Sequence, residues 1–440
     1  MGKATTLFSS AFLAIGGFLF GYDSGIITST IAQPHFVDYF SNPSDAVTGG
    51  IVSCFQGGAM LGTIINMLFA DKLGRKYTIA VGSAISLLGG ALQGGAVAMS
   101  MLMIGRFVAG MAVGMLTSTI PLYAAELSEP KYRGLQSGLL QWFLSWGFLV
   151  AQWLGYGLSF TSTSVQWRFP LAFQCVPPII LLSGIWFLQE SPRWLMEKDR
   201  IEDAHATLCK LRSGSSPEHI ELELREIQDV IAADRLHNRT SWKTIFTKRS
   251  WLKRLLLGCG VQAFGPLSGI NVINYYGPRI YEILNISTQT SLMIIGISGA
   301  LSVVYCTIGL LLVDKVGRIK PLIVSAAGLA AALVANAAMS QHLNPDNHNQ
   351  LRAMVAMNFF SPQALSALGF KFFYLFFGLN LLAMCLYILV YPETKGRTLE
   401  QMDELFGDQL VPHALKDPEG AKVAEKELKI AVVERVSSAV

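Results

Sequence analysis

The chain has 440 residues, of which 52% are hydrophobic and only 15% are charged, and its net charge at neutral pH is +4. This composition excludes an ordinary soluble globular domain, in which about a quarter of the residues are charged. This composition predicts a membrane protein, and we expect no nucleic-acid partner, while the net charge says little by itself.

Long apolar runs organise the chain. A helix of about 20 residues crosses the hydrocarbon core of a bilayer, and ten runs have the length and composition for this. The first begins close to Met1 and holds Asp23 without a small-residue cleavage site, so we predict a retained span and not a signal peptide. The predicted spans run from Leu7 to Ile31, Gly49 to Ala70, Tyr77 to Met99, Met101 to Leu122, Leu135 to Phe160, Phe169 to Leu188, Leu255 to Tyr276, Leu292 to Val313, Pro321 to Met339 and Phe370 to Tyr391.

Three short basic loops set the expected orientation. They occupy residues 71–76, 131–133 and 314–320, after the second, fourth and eighth spans. Lys and Arg accumulate in cytoplasmic loops, so these loops are predicted to be cytoplasmic. The same orientation makes both termini and the long connection after the sixth span cytoplasmic.

That long connection is charged and prone to form helices. Ser216 and Pro217 suit the N-cap and the first position of a helix from Glu218 to Ala233. Beyond the last span the chain is polar, with a short helix expected near residues 399–406 and disorder after it. The predicted division is a six-helix bundle at 1–188, a cytoplasmic helical linker at 189–250, an incomplete second bundle at 251–391 and a cytoplasmic tail at 392–440.

The two halves repeat a loop motif. The run from Asp71 to Arg75 returns at Asp314 to Arg318, and Glu190 has a weaker counterpart in Glu393. Such a repeat is typical of a transporter built from two related bundles. Asp71 and Glu190 are 119 positions apart, whereas Asp314 and Glu393 are 79 apart. The second half is therefore predicted to lack about two spans of roughly 20 residues each.

The seventh span carries three amide side chains in an interrupted helix. Gln262, Asn271 and Asn274 need polar partners at membrane depth, and Gly265 and Pro266 loosen the backbone between them. An amide offers both donors and an acceptor, so this combination favours a site for an uncharged polar substrate such as a sugar. The alternative is that each amide forms a hydrogen bond between helices.

Seven motifs follow one another along the chain. They are Gly21-Tyr22-Asp23-Ser24-Gly25, Gly74-Arg75-Lys76, Gly105-Arg106-Phe107, Pro121 with Tyr123, Glu126, Arg133 and Gly134, Glu190-Ser191-Pro192-Arg193, Ser268-Gly269-Ile270-Asn271, and Pro392-Glu393-Thr394. Together they resemble the motifs of the sugar porter family of the major facilitator superfamily, most closely its fungal branch, and the resemblance covers nearly the whole chain. It implies an all-α integral membrane protein with the major facilitator fold of two pseudo-symmetric helical bundles. The first half would have six helices and the second about four full spans.

Two departures from the family pattern stand out. The family usually has a Gln-Gln pair where Gly265 and Pro266 stand, so two sugar-binding amides are expected to be lost. The family also has twelve spans, whereas here Ser361-Pro362-Gln363 looks like the exit of span eleven joined to the entrance of span ten. A deletion, an alternative transcript or a faulty gene model would each produce this junction.

The resemblance assigns three groups of residues. Substrate contacts are expected at Gln152, Gln262, Asn271 and Asn274, although Gln152 alone would also suit a packing amide. Asp23 and Arg106 are expected to couple transport to protons, the alternative being a permanent structural ion pair. A cytoplasmic gate of ion pairs is expected at Asp71, Arg75, Glu126, Arg133, Glu190, Arg193, Asp314, Arg318, Glu393 and Arg397, which could otherwise be solvated loop ends.

The predicted function is transport of a mono- or disaccharide by alternating access in the plasma membrane, coupled to protons. Quinate or a polyol is the alternative substrate, and a non-transporting sugar sensor or an inactive shortened product is the alternative role. Because the sequence shows no nucleophile–base pair, metal cluster or phosphate loop, we expect neither an enzyme nor a cofactor.

Overall fold

The computed structural model describes residues 2–128, 133–214, 216–236, 242–267, 287–341, 371–393 and 405–406. The elements within these ranges are helices. Five helical stretches are long and apolar enough to cross a membrane: Thr6–Ile31, Ala46–Leu73, Met99–Leu127, Val165–Phe187 and Thr288–Leu312. The other predicted spans also coincide with helices, although they are shorter or less apolar, and the seventh is described only in its first part.

The first half and the linker follow the predicted order. The break at Ala14 divides the first span into two helices, and two adjacent prolines follow the break at Cys175 in the sixth. The helices of the first half are α1 Gly2–Leu13, α2 Ile15–Ile31, α3 Pro34–Tyr39, α4 Asp45–Leu73, α5 Arg75–Gly94, α6 Met99–Leu127, α7 Arg133–Leu158, α8 Val165–Phe173 and α9 Val176–Gly184. The linker contains α10 Pro192–Glu197, α11 Ile201–Leu211, α12 Pro217–Leu236 and α13 Trp242–Thr247.

The second half contributes four long helices to the described structure. They are α14 Arg249–Leu267, α15 Thr288–Val316, α16 Ile319–Gln341 and α17 Lys371–Leu389. The junction near residues 351–363, where the sequence predicts missing spans, lies outside the described residues, as does most of the predicted tail helix.

Glycine allows the helices of the first half to approach closely. A Cβ at Gly58 of α4 would collide with the carbonyl oxygen of Phe107 in α6, and a Cβ at Gly110 of α6 would collide with that of Phe55 in α4. The contact is therefore reciprocal. Small residues of this kind drive helix association in lipid, where no hydrophobic effect separates the apolar surfaces from their surroundings.

Several glycines of the second half have no close neighbour among the described residues. A Cβ built on Gly258 or Gly265 of α14, on Gly309 of α15 or on Gly328 of α16 would meet no described atom within 4 Å. The two halves meet where α7 lies along α15, and there the Trp142 indole N–H donates to Thr307 Oγ1 at 2.8 Å. At these four positions, the described residues thus leave open space of a kind that Gly58 and Gly110 in the first half do not have.

The linker forms a small core of its own and also docks on the first bundle. Ser216 accepts a hydrogen bond from the His219 N–H at 3.3 Å, which confirms its predicted role as the N-cap of α12. The buried Arg212 donates to the Leu127 carbonyl at the end of α6 at 3.1 Å and pairs with Glu223 at 2.9 Å. Arg212 thereby ties both linker helices to the end of a membrane helix.

Candidate functional site

Asp23 and Arg106 lie in contact inside the first bundle, but the contact uses the backbone. Arg106 Nη1 donates to the main-chain carbonyl of Asp23 at 3.1 Å, and the guanidinium lies 4.5 Å from the ring centre of Phe55. Asp23 is 1% exposed and Arg106 0%. Within the described part of the chain, neither carboxylate oxygen of Asp23 accepts a hydrogen bond. The predicted pairing of the two side chains stays a prediction.

Gln152 is fully buried, and its amide nitrogen forms a hydrogen bond while its amide oxygen has no described partner. Its Nε2 donates to the Gly25 carbonyl at 3.0 Å, two residues along α2 from Asp23. No described group donates to its Oε1. Gln33 has the same arrangement near the end of α2, since its Nε2 donates to the Gly155 carbonyl at 2.9 Å and its Oε1 also lacks a described partner. Gln152 therefore packs α7 against α2 and keeps an acceptor available.

Two further buried amides lie in the first bundle, and the sequence did not predict a role for either of them. Gln93 Nε2 donates to the Gly105 carbonyl at 3.3 Å, next to Arg106. Gln174, at the break between α8 and α9, is 1% exposed, and neither of its amide atoms has a described partner. A lone amide in an apolar run, the signal that identified Gln262, is also present at both positions.

The second-half part of the expected sugar site is only partly described. Gln262 is exposed and lines a cavity along α14 together with Cys259 and Trp251. Asn271 and Asn274 lie outside the described residues. The structure therefore does not bring Gln152 and Gln262 together through any described contact.

A buried ion pair forms the centre of the expected cytoplasmic gate. Arg75 meets Glu126 through two hydrogen bonds, Nε to Oε2 at 3.2 Å and Nη2 to Oε1 at 2.9 Å, and both side chains are 5% exposed. Arg75 Nη1 also reaches Asp71 at 3.2 Å. Burial opposes the charge on Arg75, but Glu126 outweighs it and raises the pKa of Arg75. This pairing links the ends of α4, α5 and α6.

Glu190 binds the start of α5. Its carboxylate accepts from the N–H groups of Arg75 at 3.2 Å, Lys76 at 3.3 Å and Ser191 at 2.9 Å. A carboxylate at a helix N-terminus satisfies free N–H groups and complements the helix dipole. Burial raises the pKa of Glu190, and these N–H groups together with Lys76 counteract the rise. Gly74, with φ +87°, provides the turn that precedes this contact.

The second half repeats this contact. Glu393 accepts from the N–H of Arg318 at 3.1 Å and from that of Ile319 at 3.2 Å, and Gly317 has φ +96°. The sequence repeat around Glu190 and Glu393 thus corresponds to one structural device used twice. In the second half, however, the carboxylate is exposed.

Of the remaining gate residues that the sequence predicts, the structure describes the side chains of some and not of others. Arg193 is half-buried in the field of several carboxylates, among them Glu126 and Glu226, and desolvation of its guanidinium lowers its pKa. Trp194 Nε1 donates to the Asp71 carbonyl at 2.9 Å, a gate contact that the sequence reading missed. The side chains of Arg133 and Asp314, and all of Arg397, lie outside the description.

We expect Arg75→Met to destabilise the protein by about 3–5 kcal/mol, because it leaves the Glu126 carboxylate buried without its cation. Arg200→Met is the matched control, since Arg200 and Asp203 approach to 2.7 Å but are 56% and 54% exposed. An exposed pair contributes about 0–1 kcal/mol. Thermal unfolding of both purified variants measures the difference, and equal losses would show that the buried pair is unimportant.

Comparisons with known proteins place this geometry in context. A family model described as "Sugar (and other) transporter" matches residues 10–356 and 348–406. The MFS-type transporter criB of Aspergillus cristatus is 34% identical over 94% of this chain and 96% of its own length. The high-affinity glucose transporter of Kluyveromyces lactis is 29% identical over 486 residues, which cover 93% of this chain and 88% of the relative.

A solved structure shares the fold. The proton:xylose symporter XylE, bound to 6-bromo-6-deoxy-D-glucose, superposes with a TM-score of 0.76 at 21% identity over 92% of this chain and 100% of that one. At this identity the likeness concerns the fold: two helical bundles of the major facilitator type.

Proposed function

Because the chain belongs to the sugar (and other) transporter family and is a multi-pass membrane protein, we propose that it carries a sugar across the membrane by alternating access. The substrate lies between the two halves and contacts Gln152 from the first, with Gln262, Asn271 and Asn274 from the second. No covalent chemistry is needed, because the reaction is movement between two aqueous sides.

The free acceptor of Gln152 carries this proposal. Its Nε2 is held by Gly25, so the side chain is oriented before any ligand arrives, and its buried Oε1 has no described partner. A buried polar atom without a partner costs about 1–3 kcal/mol, which a sugar hydroxyl would recover by donating to it. The XylE complex with a glucose analogue and the glucose transporter of K. lactis support a hexose or pentose as the substrate class.

The proposal also includes coupling of sugar transport to proton movement. Asp23 takes up a proton and gives up its interaction with Arg106 when sugar binds, so that proton and sugar cross together. The support is the position of both groups, buried and in contact two residues from the carbonyl that holds Gln152. The symporter XylE has the same fold.

Location and division complete the proposal. The protein resides in the plasma membrane with both termini and the linker in the cytoplasm, and it divides at the predicted boundaries into bundle, linker, incomplete bundle and tail. The gate at Arg75, Glu126 and Glu190 then closes the cytoplasmic side. The support is the dense polar network at this end of the first bundle, which the linker also joins through Arg212.

The substrate class can be tested directly. Cells without their own sugar transporters would express this chain or a version with two restored spans, and uptake of labelled hexoses, pentoses, disaccharides and quinate would be compared. Uptake of none of these by either version would contradict the proposed class.

Gln152→Ala should lower sugar uptake by the restored version at least tenfold, because one buried hydrogen bond to the sugar is lost. Gln33→Ala is the matched control. It removes an equally buried amide that donates to a backbone carbonyl at 2.9 Å, against 3.0 Å for Gln152. The initial uptake rate at matched surface expression is measured. Equal losses in both variants would assign Gln152 to helix packing alone.

A further inference from the structure

The start of α14 is strongly basic. Lys243, Lys248, Arg249, Lys253 and Arg254 occur in the segment 243–254, which contains no acidic residue. Basic clusters immediately cytoplasmic of a membrane helix attract anionic lipids, with about 1 kcal/mol for each charge near the surface. Charge alone predicts only general attraction to the membrane, so a specific site needs a shape as well.

A cavity supplies that shape. It has a volume of about 560 Å³ and follows one face of α14 from Trp251 past Leu255, Gly258 and Cys259 to Gln262. Residues three and four apart lie on one side of a helix, so these residues form a single strip about 16 Å long. Arg254 and Gln262 are the polar members of this strip, and the rest of the wall is apolar apart from the Cys259 thiol.

The protein itself covers the opposite face of α14. Tyr391 donates to the Leu257 carbonyl at 2.9 Å, and Val261 and Phe264 pack against Ala383 and Tyr387. The cavity strip turns away from that contact, and a Cβ built on Gly258 meets no described atom within 4 Å. At the mouth, the Arg254 guanidinium lies 5.0 Å from the Phe406 ring centre, where the cation is held against an aromatic face.

We propose that this cavity binds one anionic phospholipid from the cytoplasmic leaflet. Its phosphate lies at Arg254 beside Trp251, and one acyl chain lies along Leu255, Gly258 and Cys259. The site rests on the cytoplasmic orientation proposed above, and its inner end at Gln262 is also a proposed sugar contact, so its test uses lipid binding and not transport. It uses a cation at the interface and an apolar strip leading inward, the arrangement that a charged headgroup and its acyl chain require.

The test uses the exposed Cys259 as a reporter. The purified full chain in dodecyl maltoside micelles would be alkylated with a maleimide while phosphatidylserine or phosphatidylcholine is added, and peptide mass spectrometry would follow each cysteine. Phosphatidylserine is expected to slow alkylation of Cys259 but not of Cys385, which is also exposed and lies on α17. Equal slowing by both lipids, or of both cysteines, would overturn the proposal.

Two variants and a control locate the site. Arg254→Gln should raise the phosphatidylserine concentration needed for protection about tenfold, because one charge-assisted contact is lost. Lys320→Gln removes an exposed charge at the start of α16, the same end of the bundle, and should change it less than twofold. Equal shifts in both would mean that only general charge attraction operates, and this would contradict a defined site.

Gly258→Leu tests whether the groove holds the acyl chain of the lipid, and it does so without changing the charge of the protein. A Cβ at this position meets no described atom within 4 Å, so we expect the fold to tolerate the added side chain while it fills the groove. Native mass spectrometry should show a single retained phosphatidylserine in the parent chain and none in this variant. Retention of the lipid by the variant would contradict the proposal.

Protection of Cys259 that depends on protein concentration would also contradict the proposal. A second copy of the chain, and not a lipid, would then cover this face of α14. None of these readouts requires transport.

Discussion

Restoring about two spans after Phe359 should raise sugar uptake from near background to at least tenfold above that of the 440-residue chain. The described residues of the second half contain four long helices, and the sequence predicts that two further spans are missing. The family-model match is divided into two segments that meet at residues 348–356, and the glucose transporter alignment covers more positions than this chain has. The first observation supports a loss at the predicted junction, and the second shows that the relative has positions that this chain lacks.

The physical reason lies in the packing of the second half. In the first half, glycines such as Gly58 and Gly110 lie against the backbone of a neighbouring helix, whereas a Cβ on Gly309 or Gly328 would meet no described atom within 4 Å. With two helices absent, the amides Asn271 and Asn274 are expected to lose partners, at roughly 1–3 kcal/mol for each unsatisfied group. Removing two crossings keeps the tail on its original side, so the shortened chain can still insert while its substrate site stays incomplete.

Uptake must be compared at matched surface expression. A control insertion of two unrelated apolar helices of the same length separates the effect of the correct helices from that of length alone. Equal transport by the 440-residue chain and the restored version would show that the two helices are dispensable. Growth or signalling that responds to sugar without any uptake would instead favour a sensor.

Asp23→Asn in the restored version should abolish accumulation against a gradient while leaving exchange of labelled for unlabelled sugar largely intact. Asparagine preserves the shape of the side chain but cannot carry a proton. Moving one charge through 100 mV is worth about 2.3 kcal/mol, enough for roughly 50-fold accumulation, and the variant should lose this factor. Uphill uptake and exchange would be measured in the same proteoliposomes under an imposed proton gradient.

Asp38→Asn serves as the control, since it makes the same chemical change at an exposed residue of α3. It should leave both rates unchanged. Undiminished uphill uptake in Asp23→Asn would remove this carboxylate from the mechanism, and equal loss of uphill uptake and exchange would indicate a structural role. In that case the contact with Arg106 would be permanent.

The sequence predicted helix positions well because apolar length and turn residues are local signals. It also related Glu190 to Glu393, and the structure shows both at helix N-termini. Helix partners were harder to predict, because contacts such as Arg212 with the Leu127 carbonyl join residues that are distant in sequence. The geometry of Asp23 and Arg106 could not be predicted either, since a guanidinium can donate to a main-chain carbonyl as well as to a carboxylate.

The contact between Arg212 and Leu127 also bears on synthesis at the ribosome. Leu127 ends a helix of the first bundle, and Arg212 of the linker donates to its carbonyl. Glu223, later in the linker, holds the Arg212 guanidinium in place. Domains fold largely as units during translation, the N-terminal one first. The first bundle can therefore make this contact once residue 223 has left the exit tunnel, before any residue of α15 has been added to the chain. The nascent protein thus has a folded half waiting in the membrane when the second half arrives.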